Sequence, residues 1–284
     1  MTKKFKLIEC PRDAMQGLHD FIPTEIKTRY INKLLTLGYD TLDFGSFVSP
    51  KAIPQLRDTA EVLSNLNLTD TNLLAIVANQ RGAIDACNFE EIKYLGFPFS
   101  ISETFQQRNT KSSIAESLTR VDDIQALCEK HNKELVVYIS MAFGNPYGDP
   151  WDIGIVEEWT ETLAQHGIKI LALSDTIGSS NPQNIDYLFS NLIPKYPGIE
   201  FGAHLHSTPD TRVEKIEATI NAGCLRIDSA IKGFGGCPMA KDDLTGNMAT
   251  EIVLDVLNKR KIAHGINEKA FAQAMLEVGT VFPQ

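Results

Sequence analysis

Eight short apolar, β-branched segments with helical stretches between them constrain this chain more than any other feature. They span residues 6–10, 40–47, 73–79, 97–105, 134–143, 168–176, 199–206 and 224–231. Several are nearly continuous apolar runs, the pattern of parallel strands covered on both faces. Amphipathic helices are predicted between them, for example over 24–37, 112–131, 153–166 and 182–192. The last follows Ser180-Asn181, an N-cap ahead of a proline at the first helical position. Helix ends fall at His166-Gly167 and Ala222-Gly223. This alternation over 284 residues predicts an α/β fold, a closed (β/α)8 TIM barrel with a C-terminal helical extension. An open doubly wound sheet is the alternative, but neither GxGxxG nor GxxxxGKS/T follows the first strand. No linker, low-complexity tract or internal repeat divides the sequence, so residues 1–284 are expected to form a single domain.

Composition narrows the function classes. A chain that is 43% hydrophobic and 22% charged is not wholesale disordered, and no apolar run approaches a membrane span. The start, MTKKFKLIECPRD, turns polar too soon for a secretory signal, so a cytoplasmic protein is expected. The net charge of −9 argues against nucleic acid as a partner. The five cysteines are scattered and none forms a CxxC pair. Neither a disulfide framework nor a thiolate zinc site is expected, and a reducing compartment follows.

In a barrel of this kind the chemistry sits at the C-terminal ends of the strands. The unusual polar residues fall there: Arg12-Asp13 after strand one, Asp43 and Ser46 at strand two, Tyr138 in strand five. Asp175-Thr176 follow strand six, His204 and His206 strand seven, and Cys237 lies in the loop after strand eight. In HLH the two histidines are two apart on a strand and face one way, a natural pair of metal ligands. A hydrogen-bonded or surface pair is the bland alternative. Asp13 offers a carboxylate on a turn stiffened by Pro11, or is plain solvated charge. Asn247 offers an amide oxygen, although Thr245-Gly246-Asn247 also resembles a turn opening the last helix. Two imidazoles with carboxylate and amide oxygens suit Mg²⁺ or Mn²⁺, with Zn²⁺ or Co²⁺ also accommodated, and leave room for a chelating substrate.

Arg12, a permanent planar cation beside such a site, can stabilise an enolate or a carboxylate. Asp175 either orients a ligand of the metal or caps the following helix. Cys10, Cys87, Cys128 and Cys224 lie in predicted elements and read as small core hydrophobes. Cys237 differs, because Gly235-Gly236 precede it and Pro238 follows it in a loop without periodicity.

Taken together, ECPRDAMQG, SFVSPK, SDTIG, GAHLHST and GFGGCPMA…TGNMATE resemble the 3-hydroxy-3-methylglutaryl-CoA (HMG-CoA) lyases, in order from Glu9 to Glu251. These belong to the DRE-TIM metallolyases, a superfamily of metal-dependent lyases and synthases on TIM barrels. The RD and HxH elements mark the superfamily, while the GGCP loop and SFVSPK are more specific to the lyases. The resemblance implies Asp13, His204, His206 and Asn247 as metal ligands, Arg12 as the enolate-stabilising arginine and Cys237 as the catalytic loop cysteine. Gln16, Asp43, Ser46, Tyr138, Asp175 and Thr176 fall where the family lines its acyl pocket. It also implies an acyl-CoA substrate cleaved to acetyl-CoA and acetoacetate, with Cys237 or His204 moving protons. A role in leucine degradation and a homodimer or higher homo-oligomer are implied as well.

The departures lie near the pocket. Ala14 stands where the family usually has Gly, Asp43 where it has Glu, and Ser207 where an acidic or amide residue follows the second histidine. Met239 replaces an aromatic, Lys232 replaces a small residue, and the segment 237–247 is one residue longer than usual. These bear on the acyl group more than on the reaction. Lys232, Arg108 and Lys111 are candidate contacts for CoA phosphates, or solvated loop charges. Sister synthases carry a GERxGN-type segment where this chain has KDDLTGN, and a pyruvate aldolase has no need of the GGCP loop. A zinc hydrolase would leave Arg12 and Cys237 without a purpose, and an inactive barrel would have shed ligands that are all present here.

Overall fold

Eight parallel strands close into a barrel in the computed structural model, which describes residues 4–236 and 245–282. The strands are β1 (Lys6–Glu9), β2 (Thr41–Ser46), β3 (Asn72–Ile76), β4 (Ile92–Ser100), β5 (Glu134–Ser140), β6 (Ile170–Ser174), β7 (Glu200–His204) and β8 (Arg226–Ser229). They pair in chain order, and β8 closes on β1 through Lys6 to Arg226 and Glu9 to Ser229. The helices are α1 (Pro11–Gln16), α2 (Thr24–Leu35), α3 (Thr59–Ser64), α4 (Gln80–Cys87), α5 (Glu103–Thr110) and α6 (Ile114–Lys130). They continue with α7 (Ile153–Gln165), α8 (Pro182–Lys195), α9 (Arg212–Asn221), α10 (Thr250–Lys259) and α11 (Glu268–Glu277).

Local chemistry sets the boundaries. Asn181 accepts from Gln183 N and Asn184 N to start α8 at Pro182, as predicted. Ser113 and Glu116 form a capping box that starts α6. The fourth strand departs from expectation: it runs Ile92–Ser100, not 97–105. Ser102 accepts from Phe105 N at 3.2 Å and turns residues 103 onward into α5, a cap hidden inside an apolar run.

Two cores follow from strand alternation. Leu7, Leu42, Phe97, Val137 and Leu171 belong to the larger core, which the helices share. Leu74, Ile76, Tyr94, Val136, Tyr138, Ile170 and Ala172, from β3 to β6, form a separate apolar plug. Gly96 packs tightly there: a Cβ would lie 2.5 Å from Ile76 Cδ1 and 3.1 Å from Tyr138 Cε2, so those side chains would have to shift to admit one. The remaining arc carries Asp43, Glu200, His204, Arg226 and Asp228 on β2, β7 and β8. One side of the barrel is therefore oily and the other ionic. Beyond α10, Asn267 N bonds Leu37 O at 2.8 Å, and Phe282 stacks on Phe234 at 4.7 Å, so the C-terminal extension supports the loop after β8.

Candidate active site

A cavity of about 350 Å³ opens at the C-terminal end of the barrel. Ile76, Ser140, Ser174 and His204 line it from the last positions of β3, β5, β6 and β7, and Arg12 and Asp13 from the helix directly after β1. Pro11 sits at the start of α1, fixing φ where no donor is needed. The short helix puts Arg12, Asp13 and Gln16 on the inner rim.

Arg12 is anchored from both sides. Its Nε donates to Asp43 Oδ2 at 3.0 Å, and its Nη1 to Asp13 Oδ1 at 3.0 Å and Gln16 Oε1 at 2.9 Å. Burial works to discharge the guanidinium, but Asp43 and Asp13 more than offset it and raise its pKa. Burial likewise pushes the Asp43 carboxyl up to about 6 despite Arg12. Asp13 is buried too, yet Arg12 and the two imidazoles hold its carboxyl below the usual range.

The histidines meet this pair from across the barrel. His204 ends β7, and its ring centroid lies 5.5 Å from that of His206. His204 Nδ1 lies 3.1 Å from Asp228 Oδ2, and His206 Nδ1 lies 3.1 Å from Thr176 O. A carbonyl accepts only, so His206 carries its proton on Nδ1 and presents Nε2 as a lone pair. That Nε2 is buried with no hydrogen-bond partner among the described residues. Burial works against protonating His204, but Asp228 raises its pKa. Burial and the neighbouring His204 lower that of His206. Donor atoms of Asp13, His204 and His206 all lie within 4.8 Å of one another. A buried, unsatisfied imidazole nitrogen facing a carboxylate and a second imidazole fits a divalent cation, which would satisfy all three.

Asn247 arrives by a route outside the barrel. Residues His206–Ser207 and Gly246–Asn247 pair as a two-stranded antiparallel ribbon, with Asn247 opposite His206. Asn247 Nδ2 donates to Asp13 Oδ2 at 2.6 Å and Phe234 O at 2.9 Å, and its Oδ1 accepts no hydrogen bond from the described residues. The expected turn is thus a ribbon strand, and α10 begins only at Thr250.

The other expected residues divide. Gln16, Tyr138 and Thr176 line the cavity. Asp43 lies behind Arg12 and contributes through it. Ser46 Oγ donates to Ile76 O at 3.3 Å and accepts from Val48 N at 3.1 Å, turning the chain so that Val48 lines the cavity. Asp175 neither caps α8 nor faces the cavity. It accepts from Ser180 N at 3.1 Å and pairs with Lys215 Nζ at 3.0 Å, fully buried, because the residue after inward-facing Ser174 points away from the barrel axis. Cys237 lies outside the described residues; Gly236, its chain neighbour, lines the cavity.

Two participants escaped sequence reasoning. Asp228, in the segment CLRIDSAI, is a charge inside an apolar strand, and that was the available signal. Lys215 looks like any helix lysine and gave none.

The fold and this cluster define a (β/α)8 barrel with a buried Asp-His-His site beside an anchored arginine. The HMGL-like family model matches residues 5–278, and the chain belongs to that family. Hydroxymethylglutaryl-CoA lyase YngG of Bacillus subtilis is 32% identical over 93% of this chain and 88% of its own length. The 3-hydroxy-3-isohexenylglutaryl-CoA/hydroxy-methylglutaryl-CoA lyase of Pseudomonas aeruginosa is 32% identical over 96% and 91%. Among solved structures, the Bacillus subtilis HMG-CoA lyase superposes with a TM-score of 0.92 at 31% identity, over 98% of this chain and 93% of the other. The Acinetobacter baumannii HMG-CoA lyase, bound to coenzyme A and 3-methylmalate, gives 0.90 at 28%, over 99% and 93%. No helix of the described residues is long and apolar enough to cross a membrane.

Proposed function

We propose that this chain is a divalent-metal-dependent carbon–carbon lyase that cleaves HMG-CoA to acetyl-CoA and acetoacetate. The observation that carries the reading is the convergence of the unpartnered His206 Nε2, His204 and Asp13 beside Arg12. Asp13, His204, His206 and the Oδ1 of Asn247 would hold the cation, Mg²⁺ or Mn²⁺ by the mixed donor set. When bound, it supplies Lewis acidity that lowers the pKa of the substrate's C3 hydroxyl.

The chain's own groups do the rest. A base takes the hydroxyl proton, the C2–C3 bond breaks, C3 becomes the ketone of acetoacetate, and the electron pair stays on C2 as the acetyl-CoA enolate. Arg12, already held by Asp43 and Gln16, would stabilise the enolate oxygen without having to reorganise. Protonation of C2 completes the reaction. His204 Nδ1 lies on Asp228 and the other ring nitrogen would help hold the cation, so Cys237, next in the chain to a cavity-lining glycine, is assigned the proton transfers. Gln16, Tyr138 and Thr176 would surround the acyl group, with Asp43, Ser46 and Asp175 supporting from behind.

The test is to incubate the metal-loaded protein with a panel of 3-hydroxyacyl-CoA esters and measure acetoacetate and acetyl-CoA. Equal amounts of both from HMG-CoA, lost in Cys237→Ala, are expected; no acetoacetate from HMG-CoA would overturn the reading. The panel should include a bulkier 3-substituent, because Val48, Ile53, Ile76 and Phe105 make one wall of the cavity apolar. A single domain over 1–284, cytoplasmic location, self-association into a homo-oligomer and a place in leucine degradation complete the proposal. The four described cysteines, free and buried, support the reducing compartment.

A further inference from the structure

Lys215 carries an ammonium where neither solvent nor helix favours one. It is 2% exposed and lies in the first turn of α9, at the positive end of the helix dipole. An ammonium has three N–H donors, and here each meets an acceptor. They are Asp175 Oδ2 at 3.0 Å, His206 O at 2.8 Å and Gly178 O at 3.3 Å. No donor is left over for a ligand, so this group acts by holding other parts of the chain.

The three acceptors come from two segments. Asp175 and Gly178 bracket the turn after β6, which closes through Gly178 N to Asp175 O at 3.2 Å. His206 follows β7. Thr176, inside the turn, is fixed from β5 because its Oγ1 accepts from Met141 N at 2.9 Å. Its carbonyl oxygen accepts from His206 Nδ1 at 3.1 Å. That bond joins the two segments that Lys215 clasps, and it sets the tautomer that leaves Nε2 as a lone pair beside Asp13 and His204. Released from it, a neutral imidazole can carry its proton on Nε2 instead and turn a hydrogen, not a lone pair, towards a cation.

We propose that Lys215 is a positioning residue for His206: by clasping Asp175, Gly178 O and His206 O it fixes the bond to Thr176 O and keeps the lone pair on Nε2. The inference rests on reading Asp13, His204 and His206 as cation ligands, not on the identity of the acyl-CoA. The test compares the full-length wild type with Lys215→Met and with Lys215→Met/Asp175→Asn. The double variant leaves no unpaired buried charge, should the single one fail to fold. Lys27→Met is the control, since Lys27 forms a similarly buried pair with Asp58 at 2.8 Å and none of its hydrogen bonds reaches the Asp13–His204–His206 cluster. Nitrogen-15 NMR of histidine-labelled, metal-free protein tells a protonated ring nitrogen from one with a lone pair, and the His206 signals are those missing in His206→Ala. The proton is expected on Nδ1 in the wild type and Lys27→Met, and partly or wholly on Nε2 in both Lys215 variants. Calorimetric Mn²⁺ affinity is expected to fall about tenfold or more in the Lys215 variants and to stay within about twofold in Lys27→Met. An unchanged His206 tautomer in a folded Lys215 variant, a changed tautomer with undiminished Mn²⁺ affinity, or the same loss of affinity in Lys27→Met would overturn the proposal. A wild type that binds no Mn²⁺ would instead remove the cation reading, and the tautomer comparison would still decide whether Lys215 positions His206.

Discussion

Asp228 has two oxygens with different surroundings: Oδ2 lies 3.1 Å from His204 Nδ1, while Oδ1 has no hydrogen-bond partner among the described residues. The carboxylate fixes the ring's tautomer and raises the basicity of the nitrogen aimed at the cavity. Asp228→Asn is expected to weaken divalent-cation affinity by about 10–100-fold, the usual cost of losing such a partner, with the circular-dichroism spectrum unchanged. Metal titration with an undiminished affinity would show that Asp228 does not act through His204. Glu9 poses a different residue-scale question. Its Oε1 accepts from Ile231 N at 2.8 Å and its Oε2 from Thr250 Oγ1 at 2.6 Å, tying the end of β1 to α10. Burial pushes this carboxyl up to about 8 from 4.5, against the pull of those hydrogen bonds. The folded state therefore holds the proton more tightly than the unfolded state. Stability from this group is complete below the unfolded value and falls as pH rises towards 8, by about 1.4 kcal/mol per pH unit at most. Denaturant midpoints from pH 5 to 8 should fall less steeply for Glu9→Gln than for the wild type. Parallel slopes would remove Glu9 from the account.

The loop after β8 works as an element because its glycines allow close approach. Gly235 has φ +86°, and a Cβ there would lie 2.8 Å from Ala14 Cα, 2.8 Å from Asn247 Nδ2 and 2.9 Å from Asp13 O. Only glycine lets this segment press on both the carboxylate turn and the amide that meets it. Gly235→Ala should lower divalent-cation affinity at least tenfold, while the thermal midpoint changes far less than for a core truncation. Calorimetric metal binding beside a melting curve distinguishes this from general destabilisation, which would lower both together. At this scale the sequence was informative where a local signal existed. The proline after Asn181 marked α8, and the HxH spacing put both imidazoles on the cavity. It was silent where partners come from afar: Asn247 reaches Asp13 through a ribbon with His206–Ser207 that no periodicity announces. Asp175 misled for a related reason. It looks like a site residue beside Thr176, but strand alternation turns it to Lys215 on α9, forty positions away in the chain.

For the whole molecule, the barrel was legible because eight buried parallel strands must read as repeated apolar runs. The division of its interior was not. Apolar side chains of β3 to β6 fill one half, while Asp43, Glu200, Arg226 and Asp228 make the other half ionic. That asymmetry arises only when the strands are rolled up, and it places the Asp13–His204–His206 cluster against the charged half, where an arginine, carboxylates and imidazoles already offset one another. The most direct measurement of the central claim follows the rate of acetoacetate release from HMG-CoA as Mn²⁺ is returned to chelator-stripped protein. The expected result is no release from the stripped protein and a rate that rises in proportion to bound metal up to one equivalent per chain, with His206→Ala failing to recover. Undiminished release by the stripped protein, or full recovery in His206→Ala, would contradict it.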